Sequence, residues 1–157
     1  MTKFLCVALA FTSFIQVAPA SPDFSGRWKL NIEETEFPAA KPSAATFSVI
    51  RTVEQKRREL RLKIERMNNG QKSGFNFVTI PIGSGVHESD EAGIISAQWK
   101  DATLHFHYLY NPGTERQSER TEDWTLSPDG KKLIDQEWVK RPDGQELRYK
   151  VVFDREP

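Results

Sequence analysis

Apolar and polar residues alternate along most of this chain, which is the two-residue period of half-buried β-strands. Phe47, Val49 and Val53 alternate with Ser48 and Thr52. Leu60, Leu62 and Ile64 alternate with Arg61, Lys63 and Glu65, the clearest half-buried strand in the chain. Asn68-Asn69-Gly70 follows as a turn that tolerates positive φ. A strand rich in Phe, Val and Ile runs from Gly74 to Ile82, with Pro81 marking its end or an edge. Gly83-Ser84-Gly85 breaks the chain, and a short strand near Val86–Glu88 leads into the turn Ser89-Asp90-Glu91-Ala92-Gly93. Ile95, Ala97 and Trp99 share a face. A two-residue hairpin at Asp101-Ala102 sets them opposite Tyr108, Phe106 and Leu104, so the register buries six apolar or aromatic residues together.

Asn111-Pro112-Gly113 ends that strand, and Arg116 to Leu126 forms the next. Ser127-Pro128-Asp129-Gly130 is a type I turn signal, repeated at Arg141-Pro142-Asp143-Gly144. The last strand is Leu147 to Phe153. The stretch before Phe47 holds the lead-in and first strand, Ser21 to Asn31, and a connection from Ile32 to Ala45 with Pro38 and Pro42. Nine or ten short strands joined by tight turns, with no long helix, predict an all-β fold. Neighbours in sequence can pair antiparallel throughout, and closing the sheet removes its edges. An antiparallel up-and-down β-barrel is the expected architecture, and a two-sheet β-sandwich is the alternative.

The N-terminal segment changes the picture of where this domain works. Lys3 precedes an apolar run from Phe4 to Val17, and Ala18 and Ala20 occupy the small-residue positions of a cleavage site. The run is too short to cross a bilayer, which takes roughly 20 apolar residues. Residues 1–20 are therefore expected to be a signal peptide, and residues 21–157 the domain, exported to the periplasm or secreted. Cys6 is the only cysteine, so a chain that begins at Ser21 has no disulfide and depends on its packed core. Removing Lys3 from the 22 basic residues leaves 21 against 22 acidic ones, a near-neutral balance that argues against nucleic acid as a partner.

Gly26-Arg27-Trp28, within Phe24 to Asn31, resembles the glycine-x-tryptophan opening of the lipocalin and fatty-acid-binding superfamily. The order of later motifs is similar to a group of exported bacterial lipocalin-like proteins: the Pro38–Pro42 connection, the Leu60–Ile64 strand, the Trp99-Lys100-Asp101 hairpin and the Ser127–Gly130 turn. The resemblance implies export and a lipocalin-like barrel. It also implies structural roles for Gly26 and Trp28, with Trp28 closing one end under an arginine from the chain terminus, Arg155 first and Arg148 second. It implies no shared reaction.

The candidate chemistry is sparse. His105 and His107 lie two apart on one strand and could chelate zinc or copper with His87 from a neighbour. The hairpin register, however, puts Phe106 and Tyr108 on the buried face and turns these histidines to solvent beside Gln98 and Ser96. The aspartates of the turns serve turn geometry, and there is no nucleophile elbow and no phosphate-binding glycine loop. A non-enzymatic protein without a cofactor is expected, with a metal-assisted hydrolase resting on the histidines alone.

The aromatic residues suggest more, because a barrel of this size can hold one small ligand. Trp99, Phe106, Tyr108, Trp124 and Trp138 are candidate ligand-binding rings, and Arg120, Glu122 and Gln136 are candidate polar partners. Arg120, Glu122, Trp124, Gln136 and Trp138 share one face if the Ser127–Gly130 hairpin has the common bulged register. The final hairpin puts Leu133 and Val139 on the opposite face with Tyr149 and Val151, so both faces of strand 132–140 are apolar and either can be inside. The expected function is binding of a small hydrophobic molecule in the barrel interior. The alternative is a filled barrel acting as a structural or interaction module of the cell envelope.

Overall fold

A computed structural model describes residues 21–89 and 93–157. The expected signal peptide, and Asp90 to Ala92 of the expected turn, lie outside the described residues.

Ten strands form one antiparallel sheet: β1 (Gly26–Leu30), β2 (Phe47–Lys56), β3 (Glu59–Asn68), β4 (Gln71–Pro81), β5 (His87–Ser89), β6 (Gly93–Lys100), β7 (Thr103–Tyr110), β8 (Ser118–Leu126), β9 (Lys132–Lys140) and β10 (Glu146–Arg155). Sequence neighbours pair throughout, and β1 pairs with β10, which carries the sheet round into an up-and-down barrel. The remaining seam is narrow. Ile82, just after β4, bridges Ala97 of β6, and the Gly83 amide donates to the Ala97 carbonyl at 2.8 Å. Among the described residues no helix is long and apolar enough to cross a membrane.

Local chemistry sets the register of each hairpin. Asn69 and Gly70 both take positive φ (48° and 80°), the two-residue turn whose twist matches its flanking strands. Asp101 alone is left-handed in the 101–102 turn (φ 57°), and the strands leave it with Trp99 opposite Leu104, Ala97 opposite Phe106 and Ile95 opposite Tyr108.

One end of the barrel is plugged. Trp28 is fully buried, and its indole N–H donates to the Phe24 carbonyl at 2.8 Å. The Arg155 guanidinium lies 4.1 Å from the Trp28 ring centre and donates to the carbonyls of Ser25 and Gly130. Gly26 has φ +137°, a conformation closed to other residues, and a Cβ there would lie 2.9 Å from an Arg155 nitrogen. Phe24, Trp99, Trp124, Leu60, Leu104 and Leu133 pack behind this plug in one continuous apolar cluster.

Candidate functional site

The inward rows of three strands leave the apolar pattern at the same depth. On β2 the row reads Val49, Arg51, Val53; on β8 it reads Arg120, Glu122, Trp124; on β9 it reads Leu133, Asp135, Glu137. Cross-strand pairing sets Glu122 opposite Glu137 and Trp124 opposite Asp135. Arg51 reaches this group from across the barrel. Its guanidinium lies 2.7 Å from Asp135, 3.4 Å from Glu122 and 3.6 Å from Glu137. It also lies 4.9 Å from the Trp124 ring centre and 4.4 Å from that of Phe153, so it rests between two aromatic faces. Arg120 pairs with Glu122 and approaches Glu137 at 3.7 Å. The Trp124 indole donates to Glu122 at 2.7 Å.

These groups are withdrawn from water, and their proton affinities respond. Burial and the adjacent Glu137 carboxylate push the Asp135 carboxyl up to about 8, against the pull of Arg51 and Arg120. Burial also works to raise Glu137, but Arg120 and Arg51 outweigh it and hold Glu137 below the usual carboxylate range. Burial likewise raises the phenols of Tyr108 and Tyr149. The Glu122, Asp135 and Glu137 oxygens lie within 4.8 Å of one another, close enough to surround a cation, and the chain itself supplies one in Arg51.

Above the cluster the barrel opens into a cavity of about 210 Å³. Phe37, Phe47, Val49 and Val151 form its apolar wall, and Arg66, Arg120, Glu137 and Tyr149 its polar one. The hydrogen bonding around this cavity is incomplete. Among the described residues, Arg51 Nε, Arg120 Nε and Glu137 Oε2 of the cavity wall are buried without a hydrogen-bond partner, the last two facing each other at 3.7 Å, and so are Asp135 Oδ1 and the Tyr108 hydroxyl in the cluster beneath. Each such atom costs about 1–3 kcal/mol unless something bonds it. Arg66 forms no ion pair among the described residues. Its facing cations, Arg120 and Arg51, add to the effect of burial in weakening its hold on its proton.

The candidates from sequence divide between inside and outside. Phe106, Tyr108, Glu122 and Trp124 are buried in the interior, with Arg120 at the cavity wall. Trp99 packs on Phe24 at the plugged end, ring centres 6.0 Å apart, away from the cavity. Gln136 and Trp138 do not share the interior face with Trp124. Gln136 is exposed, and the Trp138 indole bonds Glu146 on the outer surface. The cause is loop length. Ser127 and Lys132 close a loop that pairs Leu126 with Leu133, one residue longer than the bulged register requires. A slip of one residue exchanges the two faces of a strand, so β9 turns Asp135 and Glu137 inward instead.

The three histidines do not converge. His105 and His107 face outward against Asp123 (2.5 Å) and Glu119 (4.0 Å), while His87 stands opposite the buried Ile95.

Sequence reasoning passed over Arg51, Arg66, Asp135 and Glu137. The signal was present for two of them: Arg51 interrupts the Val49–Val53 row, and Arg66 extends the Leu60-Leu62-Ile64 row. A charged residue at an apolar position of a strong alternation marks either a strand end or a buried charge, and Arg51 is mid-strand. Compared with protein-family models and with curated proteins, the chain matches none.

Proposed function

We propose that this chain is an exported lipocalin-like binding protein that holds one small, largely apolar molecule at the open end of its barrel. The observation that carries the reading is the 210 Å³ cavity whose wall combines apolar side chains with buried polar atoms lacking partners. A ligand with an apolar body and one polar head satisfies both parts of that wall. Pockets for drug-sized ligands occupy about 300–1,000 Å³, so this ligand is smaller than those. Buried charge clusters add little to stability compared with apolar packing, and perturbed groups beside a cavity are common at functional sites. Export rests on the Lys3–Ala20 segment, and lipocalin-like membership on the Gly26-Arg27-Trp28 opening together with the Arg155 stack. The protein then works by binding, without a catalytic step.

The test is titration with a small fluorescent hydrophobic probe. One saturable site with about micromolar affinity is expected, since the area available is modest. Substituting Arg66, which lines the cavity and forms no ion pair among the described residues, should change selectivity for the ligand's head more than it changes folding. The absence of saturable binding for any small apolar probe would overturn the reading. The filled-barrel interaction module would then lead, favoured by the continuous packing from Trp28 up to Arg51.

A further inference from the structure

Three carboxyl groups share the barrel interior with two arginines, and that imbalance bears on what the cavity accepts. Among the described residues, Glu122, Asp135 and Glu137 form ion pairs only with Arg51 and Arg120. Against the two arginines that pair with them, three ionised carboxyls leave one excess negative charge in the barrel interior, which is expensive at low dielectric, and the half-buried Arg66 at the cavity wall forms no ion pair with them. One proton removes that excess charge. The neighbouring Asp135 and Glu137 are the place for that proton: among the described residues each has a buried oxygen without a hydrogen-bond partner, and burial favours the neutral acid at Asp135. The elements around Asp135 present Arg51 from β2, Tyr108 from β7, Arg120 and Glu122 from β8, Glu137 from β9 and Tyr149 from β10. Burial and Glu137 favour the neutral acid more than Arg51 and Arg120 favour the anion.

With that proton in place the inner group is neutral, and Arg66 remains as a further positive charge at the cavity wall, half-buried and without an ion pair among the described residues. The cavity therefore has one cation more than it has anions. We infer that it takes a small organic monoanion together with one proton, the anion against Arg66 and Arg120 and the proton on Asp135 beside Glu137. The inference rests on the proposed binding role. The size of the cavity sets the class of ligand: a short-chain or single-ring carboxylate or sulfonate rather than a long acyl chain. The two bind cooperatively, because an anion beside Arg120 weakens the positive potential that otherwise favours ionised Asp135 and Glu137. By linkage, whatever raises proton affinity when the anion is bound raises anion affinity when the proton is bound.

The experiment is calorimetric titration of the protein with octane-1-sulfonate, which stays anionic at all pH values used, and with octan-1-ol as the neutral match. Sulfonate affinity should be nearly constant below the Asp135 titration and should fall by up to about tenfold per pH unit above it. In that upper range, comparing buffers of different ionisation heat should give uptake of close to one proton. Octanol binding should vary little with pH. Arg66→Gln should weaken the sulfonate at least about tenfold, the scale of one charged hydrogen bond, and leave octanol unchanged. Asp135→Asn, which mimics the protonated acid, should bind sulfonate with no fall at high pH.

Sulfonate affinity that is independent of pH, without proton uptake, overturns the inference and leaves the binding role standing. Octanol binding as tightly as the sulfonate does the same. If neither probe binds, both fail. Carbon NMR of the Asp135 carboxyl in the ligand-free protein tests the proton separately and does not depend on the folding of a variant. Titration in the ordinary aspartate range would overturn that half.

Discussion

Replacing Arg51 by methionine removes the group that, among the described residues, alone forms ion pairs with all three buried carboxyls. Methionine keeps most of the side-chain stem, so the packing loss is small and the electrostatic loss dominates. Breaking a buried ion pair on one side costs about 3–5 kcal/mol, because the partner is left charged and desolvated. The cation–π contacts with Trp124 and Phe153 add roughly 0.5–2 kcal/mol. The same reasoning sets a pH dependence. Without Arg51 the folded-state pKa values of Asp135 and Glu137 both rise, so the folded protein binds more protons than the unfolded chain across a wider range. Stability relative to the unsubstituted protein should therefore recover as pH falls, by up to about 1.4 kcal/mol per pH unit for each additional proton held. Urea denaturation of both proteins at about pH 8 and about pH 5 measures this, with m-values checked for equality. A loss of the same size at both pH values, or below about 1 kcal/mol at the higher one, would show that these carboxyls are not buried against Arg51.

Three other outcomes follow from the same geometry. Trp28→Ala should cost about 3–5 kcal/mol by chemical denaturation, the usual loss for a fully buried large ring, and an unchanged midpoint would remove Trp28 from the plug. In the unsubstituted protein the raised pKa of Asp135 contributes stability that is fully present below its unfolded value and is lost as pH rises through about 8, whereas the lowered pKa of Glu137 contributes stability that is lost on acidification. Asp135→Asn should abolish the first slope and keep the second; a slope toward alkaline pH that survives the substitution belongs to another group. Finally, intact-mass measurement of the exported protein should give a chain beginning at Ser21, and retention of Cys6 would refute the reading of residues 1–20 as a cleaved signal.

The hairpins were legible because their causes are local. Asn69-Gly70 and Asp101-Ala102 specify two-residue turns, and burying Ile95, Ala97 and Trp99 against Tyr108, Phe106 and Leu104 leaves only one register for β6 and β7. The succession of such hairpins, each too small to bury its own face, already implies a sheet that closes. What the chain order could not decide is the inner face of β9, where Leu133 and Val139 compete with Ile134 and Trp138. One residue in the loop between Ser127 and Lys132 made that choice, and with it placed Asp135 and Glu137 inside and Gln136 and Trp138 outside. Nor could it bring Arg51 to Asp135, 84 residues away in sequence, since their strands are not neighbours in the sheet and meet only across the closed interior. Period-2 alternation divides each strand into two faces by local geometry. Which charged residues of different strands then share one dry volume depends on register and curvature, which are set when the barrel closes.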